Sequence, residues 1–404
     1  MSKRLFIKPE IPLGFGLFAG LVILLTFVLN LINNRFGLAD FRVYYTAAQQ
    51  LASGGEVYLV SFNEGSGFYK YSPFILNFFL PYTLLSFKFA SVIHFFILGG
   101  AWIYTFILTF SLLRKHIFSG SIQHENLLLI LSFIAVLVHF TREMSLGNIN
   151  ILMLLLCCLA IKNFLKGRAY TGGLFLGLAI LTKPFYVLLL IPLLIRGQWR
   201  SLAGVILVVV AGLFLPFLYL GLGRAYSLNY SWIKTILNHN NEYPGMNSID
   251  YLLRYYLFPS MSQVLSYLSV VILICFVVIF IYTNIHREEN QAEGSRYPSD
   301  TVLFEWFLLL SILPSLLKTD WVQFLSSAPL IMFIIFHIHL QKKYLLILPM
   351  VFLLLFFSAN SEDLLGRPLS IKLLEMGVMG LTNLFLIGFA MLLFIQEKTS
   401  KKIK

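Results

Sequence analysis

The chain has 404 residues, of which 58% are hydrophobic and only 12% charged, with a formal net charge of +12. Soluble globular domains carry roughly 25% charged residues, so composition excludes a soluble enzyme and defines a polytopic membrane protein. The basic excess is not a nucleic-acid footprint. Its lysines and arginines sit in short clusters between apolar runs, as membrane orientation requires.

A helix rises about 1.5 Å per residue, so about 20 apolar residues cross a hydrocarbon core of about 30 Å. Lys3, Arg4 and Lys8 precede the first run, residues 11–31, which reads as a retained helix without a small-residue cleavage site. A polar loop over 34–88 follows, with residues 73–85 expected to lie as a helix at the outer surface. Further spans are expected at 89–113, 126–140, 149–164, 170–182, 184–195, 202–222, 263–282, 301–317, 322–340, 344–357 and 373–395. The expectation is therefore an all-α membrane domain over 1–404 with about twelve crossings. Lysine and arginine concentrate on alternate loops, which places both termini in the cytoplasm. Cys157, Cys158 and Cys275 all fall inside apolar runs, with no metal-ligand or disulfide spacing.

That topology sends the unusual polar groups to one face. The first outer loop holds Asp40, Arg42, Tyr44, Tyr45, Glu56, Glu64, Lys70 and Tyr71. The short loop TREMSLGNIN adds Arg142, Glu143, Asn148 and Asn150, and Lys183 stands at the tip of a helical hairpin. Later segments bring Asn247, Ser248, Asp250 and Arg254, then Lys318, Asp320, Trp321 and Gln323. Polar groups at this depth need water or partners, so an aqueous site at the outer leaflet is expected. Read singly, each has a plainer role: Asp40 as a helix-end carboxylate, the tyrosines as an interfacial belt, Lys183 as a snorkelling cation, the asparagines as caps.

The run Asp40-Phe41-x-x-Tyr44-Tyr45-x-Ala47-Ala48, with Tyr69-x-Tyr71-x-Pro73-Phe74 after a Gly-containing loop and Pro81 later, resembles the glycosyltransferase 87 family. Gly147-Asn148-Ile149-Asn150, Lys183-Pro184 and Asn247-Ser248 before Leu252-Leu253-Arg254 extend the resemblance over most of 36–330. The late turn departs from the family pattern, keeping Trp321 in Leu-Lys-Thr-Asp-Trp-Val-Gln without the family's histidines.

The resemblance implies a GT-C-type fold in the plasma (inner) membrane. It also implies transfer of a hexose, most often mannose, from a polyprenyl-phosphate donor to a lipid or glycan acceptor outside the cytoplasm, with membrane lipids around it and no nucleic acid. An acceptor hydroxyl needs a carboxylate to take its proton, and Asp40 is assigned that role. The departing lipid phosphate needs fixed cations, for which Arg142 and Lys183 are the candidates. Tyr44, Tyr45, Tyr71 and Trp321 suit stacking on sugar faces, while Asn148, Asn247 and Asp320 suit contacts to hydroxyls. One carboxylate acting in line implies inversion at the anomeric carbon. No cofactor is expected, and a divalent metal aiding phosphate departure is left unassigned. The competing class is a transporter or flippase of a lipid-linked sugar, but it would place ionisable groups near the midplane of repeated halves.

Overall fold

The computed structural model describes residues 12–62, 67–118, 122–239, 245–260, 299–317, 321–358 and 361–403, together with residues 268, 271–272, 274–276 and 278–282. Among these residues every regular element is helical. The main ones are α1 (Leu13–Ile32), α2 (Ala39–Ser53), α3 (Phe87–His116), α4 (Glu125–Ile134), α5 (Leu137–Leu146), α6 (Asn150–Leu165) and α7 (Ala169–Thr182). They continue with α8 (Trp199–Leu220), α9 (Leu222–His239), α10 (Ile249–Tyr256), α11 (Ser299–Leu316), α12 (Ala328–Leu340), α13 (Ile347–Phe357) and α14 (Val378–Ile403).

The long helices expose leucines along one flank, such as Leu17, Leu21 and Leu29 on α1 and Leu207 and Leu218 on α8. Water would not tolerate such a surface, whereas lipid chains solvate it, and helices satisfy their own backbone there. Six described helices are long and apolar enough to cross: α1, α3, α8, α11, Gln323–Leu340 and Val378–Lys398. The pair α4–α5, bent by 61°, makes a seventh if it is one broken span.

The expected twelve crossings are therefore not matched. The windows 149–164, 170–182, 184–195 and 344–357 do form apolar helices, but with 10–17 residues each. Sixteen residues reach only about 24 Å, short of a core of about 30 Å. The window 126–140 is not one rod, because the chain breaks between α4 and α5. The window 263–282 lies largely outside the described residues. Residues 73–85 form two short pieces, Pro73–Leu76 and a 3₁₀ turn at Leu80–Leu84.

Two packing devices position the functional end. On α7, Gly173 and Gly177 face α8. A Cβ at Gly173 would lie 2.8 Å from Gly204 Cα, and one at Gly177 would lie 2.8 Å from Val208 Cβ. Small residues four apart thus let the two backbones touch, a common solution where lipid supplies no hydrophobic drive between helices. The second device is α9, an amphipathic helix in a stretch that sequence reading left between spans. Arg224 Nη2 donates to Leu51 O at 2.9 Å, and Trp232 Nε1 donates to Lys70 O at 3.1 Å. These bonds clamp the end of α2 and the strand of loop that carries Tyr71.

Deeper in the bundle, Asn383 on α14 donates to Ser311 O at 2.8 Å and Ser315 Oγ at 3.0 Å, and accepts from Ser327 Oγ at 2.7 Å. A buried amide so bonded ties α14, α11 and the start of α12 without leaving a polar group unsatisfied.

Candidate active site

The site starts at a left-handed residue. Leu38, at φ +42° and fully buried, turns the chain sharply into α2. A non-glycine residue there is strained, and packing must hold it. The turn puts Asp40 in the first turn of α2, 6% exposed, where unpaired amides and the helix dipole favour negative charge.

The opposing wall is the turn that ends α5. Gly147 adopts φ +67°, and a Cβ there would lie 2.9 Å from Phe41 Cβ and 3.1 Å from Leu38 Cβ. Only glycine lets this turn sit so close to α2. His94 on α3 buttresses both sides. Its Nε2 lies 3.0 Å from Gly147 O, and its ring stacks on Phe41 with centroids 4.1 Å apart. The next residue, Asn148, then reaches Asp40: Nδ2 donates to Oδ2 at 2.7 Å, while Asn148 Oδ1 accepts from Ile149 N at 2.7 Å. Both ends of the amide are engaged, which fixes its direction.

A second chain of bonds runs beside the first. Glu143 on α5 is fully buried. Its Oε1 accepts from Asn150 N at 2.6 Å and its Oε2 from Asn150 Nδ2 at 3.1 Å. Asn150 Oδ1 in turn accepts from Lys183 Nζ, and Lys183 is 7% exposed. The carboxylate thus caps the start of α6, and the asparagine passes its orientation to the ammonium at the end of α7. A buried lysine costs several kcal/mol unless countercharge is near, and here Glu143 and Asp40 both act on it.

Aromatic hydroxyls close the group. Tyr44 OH and Tyr71 OH are 2.8 Å apart, Tyr58 OH donates to Tyr71 O at 2.6 Å, and Lys183 Nζ lies 5.7 Å from the Tyr71 ring centroid. Asp40 interacts electrostatically with Tyr44, Tyr71, Glu143 and Lys183. Burial, with Tyr71 and Asp40 adding to it, pushes the Tyr44 phenol well above its ordinary value. Burial likewise raises Tyr71, so both stay neutral donors.

The structure therefore gathers Asp40, Tyr44, Tyr71, Asn148 and Lys183. The other expected residues have these surroundings. Arg142 is exposed, while its neighbour Glu143 turns inward. Tyr45 OH donates to Leu85 O at 2.8 Å, fastening α2 to the loop. Asn247 Oδ1 accepts from Gly380 N at 3.0 Å, so that amide serves the contact with α14. Asp320 lies outside the described residues. Trp321 opens a 3₁₀ turn, Trp321–Ser327, whose first side chains are likewise not described.

Glu143 and Asn150 were visible as polar residues of the TREMSLGNIN loop but had no assigned part. The available signal was their seven-residue spacing across a glycine turn. Among the described residues no cluster of three or more His, Cys, Asp or Glu side chains is placed to hold a metal.

An apolar helical bundle that buries an oriented carboxylate, two phenols and a lysine together describes a multi-pass membrane protein with a built polar site. The family can then be stated. The model of glycosyltransferase family 87 matches residues 68–311, more than half of the chain, and the chain belongs to that family. Asn148 and Lys183 fall inside the matched stretch, and Asp40 precedes it.

Among curated proteins, the chain is 31% identical over 175 residues to an alpha-(1->3)-arabinofuranosyltransferase of Mycobacterium tuberculosis, covering 42% of this chain and 39% of the relative. It is 28% identical over 170 residues to the protein of the same name from Corynebacterium glutamicum, covering 40% and 38%. The match spans about two fifths of the length of these relatives.

Proposed function

We propose that this membrane glycosyltransferase moves a sugar from a polyprenyl-phosphate donor to an acceptor hydroxyl at the extracytoplasmic face, with Asp40 as base. One observation carries the reading. Asn148 aims Asp40 and Asn150 aims Lys183 at the same end of the bundle, so a proton acceptor and a fixed cation act within one electrostatic neighbourhood.

In the reaction the acceptor oxygen attacks the anomeric carbon and its proton passes to Asp40. The bond from that carbon to the phosphate oxygen breaks, and the electron pair leaves on the lipid phosphate. Lys183 stabilises that growing charge, which selectively lowers the barrier in a site shielded from water. Attack opposite the leaving group inverts the anomeric centre. Tyr44 and Tyr71, kept neutral, donate hydrogen bonds without competing for the proton.

Mannose was the sugar implied by the family resemblance. The relatives' names point instead to an arabinofuranosyl group, and that is the donor sugar we favour. With both termini cytoplasmic, the Asp40 end faces outward, in keeping with the distribution of basic residues.

The test is label transfer by the purified chain in lipid from polyprenyl-phosphate arabinofuranose and, in parallel, polyprenyl-phosphate mannose, to a lipid and glycan extract. Transfer of arabinose by the wild type and not by Asp40→Asn supports the whole reading. Transfer of mannose alone overturns the sugar. Movement of donor across the bilayer without a new product returns the transporter class.

A further inference from the structure

The end of the bundle opposite Asp40 carries a second built feature. Helix α6 starts at Asn150, in the site, and ends at Leu165; α7 starts at Ala169 and returns to Lys183, again in the site. The turn between them is therefore one helix length, about 21–24 Å, from the chemistry. Beside it lies the turn that leads into α8. Gly167 at φ +73° and Gly197 at φ +59° shape the two turns.

Between them is a cavity of about 400 Å³, lined by Phe164, Gly167, Gln198, Trp199, Arg200 and Ser201 among others. Its position is held from behind, because Arg196 and Glu305 pair at 2.6 Å with both side chains buried. The second turn therefore cannot drift without breaking a buried ion pair, which is costly.

The rim is cationic. Arg200 lines the cavity and is exposed, and the exposed Lys166 and Arg168 flank its lining residue Gly167 in the chain. Burial first, and then Lys162, Arg168 and Lys115, lower the Lys166 ammonium from its ordinary value, with no carboxylate acting on it among the described residues. Nearby Arg114 is already matched by Glu125 at 3.6 Å. Trp199, 70% exposed at the cavity mouth, has the apolar body and polar N–H of a side chain that settles at headgroup depth.

We propose that this cavity binds the phosphate headgroup of an anionic membrane lipid. A phosphate anion is the chemistry that clustered exposed cations and a glutamine amide around a hollow can hold. A lipid is favoured over free phosphate because Trp199 and the exposed apolar flank of α8 continue from the cavity along the bundle, giving acyl chains a surface. In the orientation proposed above this end faces the cytoplasmic leaflet, where anionic lipids concentrate. The binding itself does not depend on the transfer chemistry.

The experiment uses the full chain in detergent micelles titrated with brominated phosphatidylglycerol or brominated phosphatidylcholine, reading tryptophan quenching. Trp199→Phe identifies the share of the signal that belongs to Trp199. The expected result is Trp199 quenching at an at least about fivefold lower mole fraction of the anionic lipid, the scale of one basic residue near a charged headgroup. Replacing Lys166, Arg168 and Arg200 together by serine should remove the preference. If that protein does not fold, each single replacement should weaken anionic quenching by about fivefold.

Equal quenching by the two lipids, or a preference that survives the replacements, overturns the proposal. Millimolar inorganic phosphate that displaces the anionic lipid as well as more lipid does would assign the cavity to free phosphate instead, and also overturns it.

Discussion

Asn148 and Asp40 meet at 2.7 Å although 108 positions separate them in the chain. The amide is itself locked by Ile149 N, so it holds one carboxylate oxygen in a fixed direction. Replacing Asp40 by Asn keeps shape and removes the proton acceptor. Turnover should fall about 10²–10⁴-fold, the range for a positioned general base, with unfolding temperature close to wild type. Steady-state transfer rates read beside thermal unfolding check this. A variant that keeps wild-type turnover would remove Asp40 from the mechanism.

Asn148→Ala tests the orientation separately. The base remains but is no longer aimed, so kcat should drop by roughly tenfold or more while donor KM changes little. Asn148→Asp would set a second carboxylate against Asp40 and should do more harm than alanine, because like charges in a buried site oppose each other.

Glu143 is expected to act through Lys183 as a positioning residue. Glu143→Gln retains a hydrogen-bonding side chain but takes away the countercharge. The donor phosphate then meets a lysine that is mis-aimed or has lost its proton, and KM for the donor should rise more than kcat falls. Leaving a buried cation short of its partner costs about 3–5 kcal/mol, so the unfolding midpoint should fall as well. Substituting Lys183 by Met in the Glu143→Gln background tests the coupling: the double variant should be more stable than the single one.

Gly147→Ala should destabilise the protein by about 1–3 kcal/mol, since alanine is strained at positive φ and its Cβ would press on Phe41 and Leu38. The functional loss should exceed the stability loss, as the same shift separates Asn148 from Asp40. Denaturant midpoints and transfer rates measured on one preparation compare the two.

The Tyr44–Tyr71 pair predicts a pH effect on stability. Both phenols are raised above the ordinary 10.0 in the folded state, chiefly by burial. A group raised on folding contributes stability that is complete below the unfolded pKa and lost as pH climbs toward the folded one. Stability should therefore decline from about pH 10 upward. Tyr44→Phe and Tyr71→Phe should each flatten that decline, which alkaline unfolding curves would reveal.

Much of the candidate site was legible residue by residue. Asp40, Tyr44, Tyr71, Asn148 and Lys183 stand out because a greasy chain has few polar side chains, and each interrupts or borders an apolar run. The inward turn of Glu143 beside the exposed Arg142 was not legible, since nothing in a linear reading says which of two adjacent helical residues faces inward. The bond from Gly380 N to Asn247 Oδ1 joins residues 133 positions apart, which no local pattern marks. The count of crossings was less legible for a related reason. Apolar composition marks the helices at 149–164, 170–182, 184–195 and 344–357, but their lengths and the break between α4 and α5 depend on what they pack against.

Composition and hydropathy by themselves determined the solvent: 58% hydrophobic residues in membrane-length runs can fold only as helices that satisfy their own backbone in lipid. They also determined that the polar exceptions would be few. Which exceptions meet was decided by tertiary structure. Asp40 finds Asn148 because Gly147 admits α2 at contact distance, and Lys183 finds Asn150 where α7 folds back on α6, a Cβ at Gly172 of α7 falling 3.0 Å from Ala160 O. Those approaches are set by side-chain volume between helices far apart in sequence, a property that no local pattern records.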